Sequence, residues 1–193
     1  MKLSIIIPMY NEQESLDALF MELSGLFSQE AKTEIIFIND GSSDDTLSIL
    51  ESKTKNDPCW KVINLYRNYG KSVALQAGFD NSKGEIIATM DADLQDNPKE
   101  IYNLIKELEK GYDVVSGWKK NRKDPLEKKI PSKIFNFFVR VFSGLKIHDS
   151  NCGLKVFKRE VTEMLTLYGG RHRYIPLLAH QKKFLISEVV VDH

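Results

Sequence analysis

The chain has 193 residues, of which 42% are apolar and 28% charged. That is the composition of an ordinary globular domain, not of a collagen-like, disordered or disulfide-scaffold chain. Lys and Arg total 27 and Asp and Glu total 27, so the formal net charge is zero, which argues against a strongly basic nucleic-acid binder.

Leu3–Ile7 is a short apolar run rich in β-branched residues and stopped by Pro8, which predicts a buried parallel strand. Leu16, Leu19, Phe20, Leu23, Leu26 and Phe27 then recur at helical spacing. Glu34–Asn39 is a second buried strand and Asp40-Gly41-Ser42 a turn. Ser42 or Ser43 is the expected cap of a helix that runs to about Lys55. Lys61–Tyr66 reads as a third strand and Gly70–Asp80 as a helix of small residues. Glu85–Met90 is a fourth strand that runs straight into Asp91-Ala92-Asp93. Asn97-Pro98 opens a helix whose stripe is Ile101, Leu104, Ile105 and Leu108, and Gly111 closes it. Tyr112–Ser116 is a fifth strand.

This alternation predicts an α/β fold with a doubly wound, mainly parallel sheet and helices on both faces. Ligands of such sheets bind beyond the carboxyl ends of the strands. The polar motifs Pro8–Glu12, Asp40–Ser42 and Asp91–Asp93 each follow a strand, so one rim should collect all three.

After residue 118 the pattern changes. Residues 119–133 hold seven basic side chains against two acidic ones, a local +5 that leaves −5 for the rest. An amphipathic helix is expected over about 130–145, with Lys133, Asn136 and Arg140 on one face and Ile134, Phe135, Phe138, Val141, Phe142 and Leu145 opposite. It would pack on the sheet or lie on an anionic membrane surface. The polar stretch His148–Gly153, a strand at Leu154–Phe157, a helix near Val161–Leu167 and a strand at Leu185–Val191 complete the chain. The apolar start ends at Pro8, too early for a signal peptide, and no run approaches the roughly 18 apolar residues of a membrane span.

Two carboxylates at Asp91 and Asp93 repel each other unless a cation lies between them, and Mg²⁺ commonly joins carboxylates to substrate phosphates. Gln95 would add a neutral oxygen. The other reading of this motif is an acidic capping turn before Pro98. Arg67 and Lys71 flank a helix start and would meet an anion there, or else form a solvated face. Asp149 either braces its loop or serves the reaction. Cys59 and Cys152 stand in no CxxC or metal spacing, which argues for free thiols in a reducing compartment. His148, His172, His180 and His193 show no metal-ligand spacing either. No GxGxxG follows the first strand and no GxxxxGK[ST] occurs, which disfavours a nicotinamide dehydrogenase and a P-loop NTPase.

Five motifs stand in register across nearly the whole chain: Ile7–Glu12, Asn39–Asp44, Arg67–Lys71, the octapeptide Asp91–Pro98, and Asp149–Lys155. With them the sequence resembles glycosyltransferase family 2 and its GT-A fold, and within it the polyprenyl-phosphate glycosyltransferases. The resemblance implies a single catalytic domain over 1–193, with a nucleotide-sugar half (1–118) and an acceptor half (119–193). It implies inverting transfer of a hexose from a UDP- or GDP-sugar to a polyprenyl phosphate. Pro8, Tyr10, Glu12, Asp40, Lys71 and Asp91 would bind the nucleotide. Asp91, Asp93 and Gln95 would hold Mg²⁺ or Mn²⁺. Asp93 and Asp149 are the candidate catalytic carboxylates. Arg122, Ser132 and Lys133 would receive the lipid phosphate, with Lys119 or Lys120 as substitutes for Arg122. In the resembled subgroup a His near this chain's end is followed by transmembrane helices. The expectation is therefore a catalytic domain at the cytoplasmic face of the membrane, without that anchor. The alternatives are a family member acting on a soluble sugar or protein, and a sugar-nucleotide-binding module without turnover.

Overall fold

A computed structural model describes residues 2–27, 33–120, 145 and 147–192. Seven strands form one sheet: β1 (Leu3–Met9), β2 (Thr33–Asn39), β3 (Trp60–Asn64), β4 (Ile86–Thr89), β5 (Val114–Trp118), β6 (Lys155–Lys158) and β7 (Ile186–Val190), in the order β3-β2-β1-β4-β6-β5-β7. The pairs β1–β2, β1–β4, β2–β3 and β5–β7 are parallel. Among the described strands only β6 runs against its neighbours, wedged between β4 and β5. The mainly parallel expectation holds, and the antiparallel insert is the feature that periodicity could not reveal.

Every residue of β1 and β2 is buried, because helices cover both faces. Alternate side chains enter opposite layers. Ile5, Ile7, Ile35 and Phe37 pack with α1 (Leu16–Phe27), with Leu50 of α2 (Thr46–Thr54) and with α4 (Glu100–Leu108). Ile6, Ile36 and Ile38 face α3 (Lys71–Asn81), α5 (Arg159–Met164) and α6 (Ile175–Gln181). A short 3-10 turn at Arg171–Tyr174 leads into α6.

Two local expectations change. The second helix starts at Thr46, and neither Ser42 nor Ser43 caps it. The Ser42 hydroxyl is taken by Asn39 and by the Asn11 amide, while the Asp44 carboxylate accepts the Thr46 amide at 3.1 Å. The fourth helix starts at Glu100, two residues beyond Pro98. Asn97 Oδ1 accepts the Lys99 amide and so shapes the turn ahead of it. The basic segment beyond residue 120 and the amphipathic helix expected over about 130–145 lie outside the described residues, apart from Leu145.

Candidate active site

The turns leaving β1 and β2 zip together. Asn11, in the left-handed region at φ 55°, donates its amide to Ser42 Oγ at 2.9 Å and accepts the Ser43 amide on Oδ1 at 2.8 Å. The Glu12 amide donates to Thr46 Oγ1 at 2.9 Å. Asp40, buried at the end of β2, accepts the Tyr69 and Gly70 amides on its two oxygens, each at 2.8 Å. Its carboxylate thus holds the 67–70 turn and walls the cleft at once. Gly41 follows at φ 66°, and a Cβ there would meet the Arg67 backbone at 2.3 Å, so no other residue fits.

These turns and the end of β4 enclose a cleft of about 260 Å³ lined by Pro8, Tyr10, Glu12, Asp40, Lys71, Asp91 and Asp93, with Asn68 and Gly70 from the third motif and Ala74 from the first turn of α3. All six nucleotide-site candidates and both aspartates of the DxD motif converge there. Lys71, the first residue of α3, pairs with Asp91 Oδ1 at 2.5 Å. Arg67 does not join it, lying exposed over the Tyr69 ring at 5.1 Å.

Burial raises the pKa of Glu12; a hydrogen bond from Ser15 opposes the rise, and the charges of Asp93, Asp91 and Asp44 add to it. Several carboxylates in one cleft repel one another, which is the setting that a hard divalent cation relieves. Among the described residues no group of three or more His, Cys, Asp or Glu side chains forms a preassembled metal cage. Asp91 and Asp93 could hold a hard divalent ion only together with ligands such as phosphate and water. Gln95 lines a neighbouring cleft with Met21, Leu26, Leu94 and Pro98. Its backbone N–H donates to Asp93 Oδ1 at 3.2 Å.

Lys119 has another role than the one expected of it. It is buried, and its ammonium pairs with Asp96 Oδ1 at 2.8 Å and reaches the Gln95 carbonyl at 3.2 Å. Burial lowers its pKa, but the Asp96 charge and hydrogen bond outweigh that and leave it raised. Asp96 in turn accepts the Asp91 amide at 3.1 Å. Lys119 is thus a strut under the carboxylate turn, not a lipid-facing cation, because its partner is buried with it. Lys120 is exposed, 5.6 Å above the Trp118 ring.

Asp149 lies outside the cleft that Asp91 and Asp93 line. Its loop is held by Glu188 of β7, which accepts the Asp149 amide at 2.8 Å, the His148 amide at 3.0 Å and the His148 ring Nδ1 at 2.8 Å. The His148 ring stacks on Trp118 at 4.1 Å. Farther along, Gly153 presses on Asp91: a Cβ there would sit 2.5 Å from Cγ and 2.6 Å from both oxygens. Lys155 is fully buried and donates to the Cys152 carbonyl. Burial lowers its pKa and nearby Lys71 adds to this, against Cys152, Asp149 and Asp91. Burial also pushes the Cys152 thiol up to about 12, and both cysteines are free. His172, hydrogen-bonded through its amide and ring to Ser72, is lowered to about 4 by burial and by Lys71, Arg173 and Lys155, so its ring is neutral near pH 7.

Sequence reasoning did not single out Glu188, and it assigned no role to Asp96 or Gly153, although both stand inside its motifs. A glutamate in a mostly apolar last strand was the available signal for the first. Arg122, Ser132 and Lys133 lie outside the described residues. No helix among the described residues is long and apolar enough to cross a membrane.

The sequence matches the family described as "Glycosyl transferase family 2" over residues 4–166. It is 37% identical over 192 residues to undecaprenyl-phosphate 4-deoxy-4-formamido-L-arabinose transferase of Pseudomonas syringae, covering 98% of this chain and 57% of that protein. It is 37% identical over 180 residues to dodecaprenyl-phosphate galacturonate synthase of Rhizobium johnstonii, covering 91% of this chain and 53% of that one. The chain thus spans little more than half the length of these relatives. In structure it is similar to a Pyrobaculum calidifontis mannosyltransferase in complex with GDP-Man and Mn²⁺, at TM-score 0.75 and 19% identity over 100% of this chain and 56% of that one. It is also similar to glucosyl-3-phosphoglycerate synthase of Mycobacterium tuberculosis in complex with Mn²⁺ and UDP-glucose, at TM-score 0.78 and 18% identity over 99% and 69%. At these identities the structural likeness concerns the fold, which is GT-A.

Proposed function

The chain belongs to glycosyltransferase family 2, and from that premise we propose that it transfers a glycosyl group, a hexose on the reading above, from a nucleoside-diphosphate sugar to a polyprenyl phosphate. The observation that supports this best is the convergence of Pro8, Tyr10, Glu12, Asp40, Lys71, Asp91 and Asp93 on one cleft at the carboxyl ends of β1, β2 and β4. The names of the relatives, which act on undecaprenyl and dodecaprenyl phosphates, supply the acceptor class.

In this reading the donor occupies the half formed by residues 1–118. Tyr10 and Glu12 flank the nucleoside and Asp40 holds the wall against it. Lys71 and the amino end of α3 meet the diphosphate. Asp91 and Asp93 hold Mg²⁺ or Mn²⁺, which when bound offsets charge developing on the leaving diphosphate. A phosphate monoester is already largely deprotonated near pH 7, since its second pKa is about 6. Its oxygen therefore attacks the anomeric carbon without a general base, on the face opposite the leaving group, and the configuration inverts. Asp149 then orients the sugar or a basic side chain and takes no proton. Residues 119–193 form the acceptor half, in which Arg122, Ser132 and Lys133 receive the lipid phosphate at the cytoplasmic membrane face.

The test is transfer of radiolabelled sugar from a panel of UDP- and GDP-sugars to undecaprenyl phosphate in detergent with Mn²⁺. The expected result is label in the organic phase for one donor, reduced by Lys133→Ala without loss of nucleotide affinity. Label passing only to soluble sugar or protein acceptors would replace the acceptor assignment. Donor binding with no transfer and no hydrolysis would reduce the chain to a binding module.

A further inference from the structure

Asp91 meets two very different neighbours. On one flank Gly153 leaves no room for a side chain. On the cleft side stands the Lys71 ammonium, 2.5 Å from Oδ1. A divalent ion approaching Asp91 from the cleft therefore meets a carboxylate oxygen already paired with a positive charge. An ammonium and a divalent ion cannot both sit close to that oxygen without mutual repulsion.

The two lysines near Asp91 differ in freedom. Lys155 is fully buried and tied to the Cys152 carbonyl, so it cannot leave. Lys71 is at the first position of α3, and its side chain is 34% exposed. It carries a compact charge on a flexible four-carbon stem. It lines the same cleft as Gly70 and Ala74 of the helix start, where phosphate oxygens are favoured.

We propose that Lys71 is a selector: it competes with free divalent ion for Asp91, and it transfers to the diphosphate when metal and nucleotide enter together. This rests on the donor-site reading above. A bare ion must displace Lys71 and leave it without an anionic partner. A metal–nucleotide pair displaces it and supplies a new one. Metal and nucleotide therefore bind with positive coupling, and by linkage each strengthens the other equally. The carboxylate turn discriminates against free metal and accepts the loaded donor.

The proposal makes the two affinities of one variant move in opposite directions. Mn²⁺ alone, and UDP or GDP in the presence of Mn²⁺, are titrated calorimetrically into wild type, Lys71→Met and Lys71→Arg, with melting temperatures as the folding check. Lys71→Met should bind Mn²⁺ alone at least about fivefold more tightly and the nucleotide at least about fivefold more weakly, within the usual range of coupling factors. Lys71→Arg, which keeps the charge, should leave the Mn²⁺ affinity near that of wild type. Mn²⁺ binding to Lys71→Met that is unchanged, weaker or undetectable overturns the proposal while the donor site stands, provided that wild type binds nucleotide with Mn²⁺. A wild type that binds no nucleotide with Mn²⁺ overturns the donor-site reading and this proposal with it.

Discussion

The rim proposed for the donor and the Asp149 loop are built by different means, although both lie at the same end of the sheet. The rim is redundant. Its turns emerge from fully buried strands, and several hydrogen bonds close each of them: Asn11 with Ser42 and Ser43, Glu12 with Thr46, Asp40 with two amides of the 69–70 turn. The Asp149 loop is tied to two distant strands, and the Ser116 hydroxyl of β5 donates to the Asp149 carbonyl at 3.3 Å. One carboxylate, Glu188, accepts both loop amides and the His148 ring, and one ring stack on Trp118 backs it. A rim made this way keeps its shape when one contact is lost. A loop in which one carboxylate accepts three donors is more sensitive to a substitution at that carboxylate. Binding of the donor and presentation to the acceptor should therefore be separable by mutation.

The largest effect is expected where the two regions are joined. Lys119 begins the proposed acceptor half in sequence, yet its ammonium sits beneath the carboxylate turn on Asp96. Lys119→Met leaves a buried carboxylate without its counter-charge, a change that costs about 3–5 kcal/mol. Denaturant unfolding should show that loss, and Lys119→Met/Asp96→Asn should recover much of it. A stability change within about 0.5 kcal/mol, the range of ordinary surface substitutions, would mean that Lys119 is a solvated cation after all.

Glu188→Ala removes the acceptor shared by three donors and should cost about 1–3 kcal/mol of local order. Its signature is a drop in kcat for lipid transfer of about tenfold or more with nucleotide affinity unchanged. Equal loss of nucleotide affinity would erase the distinction between the two regions.

The smallest effect is expected far from both. Glu34 is buried at the other end of the sheet, with Ser4 Oγ at 2.6 Å, Lys61 Nζ at 2.5 Å and the Lys83 amide at 2.5 Å. Burial alone would raise its pKa, but these three partners outweigh it and lower it. A carboxylate with a lowered folded pKa stabilises the fold above its unfolded pKa, about 4.3, and that contribution fades as pH falls through the folded value. Melting temperature should drop below about pH 4.3, and Glu34→Gln should flatten that limb without touching nucleotide binding at neutral pH. A variant that melts with the wild-type pH dependence would remove Glu34 from this account.

The same contrast governs what the sequence reveals. The rim was legible because each motif follows a short buried run, and parallel topology sends every such strand end to one edge. Asp91 and Asp93 could be placed there from the largely apolar run Glu85–Met90 alone. The Asp149 loop was not legible. Its anchor is 39–40 residues away in β7, and its other end enters the antiparallel strand β6, whose direction no periodicity records. Lys119 misled for a related reason. Counted along the chain it belongs to a basic run, whereas in space it belongs to Asp96, 23 positions earlier, in the carboxylate turn. Ser42 looked like a helix cap because the competing claims of Asn11 and Asn39 on its hydroxyl come from another turn and from the strand before it.

The central claim is that Asp91 and Asp93 make the rim a metal-dependent nucleoside-diphosphate site, and calorimetric titration of UDP and GDP tests it most directly. Wild type should bind one of them with Mn²⁺ and lose that binding in EDTA. Asp93→Asn should lose at least about 100-fold in affinity, since altering even a supporting partner of a metal ligand costs about 10–100-fold. Its melting temperature should stay at the wild-type value. Equal affinity in Mn²⁺ and in EDTA, with Asp93→Asn binding as wild type does, would contradict the account.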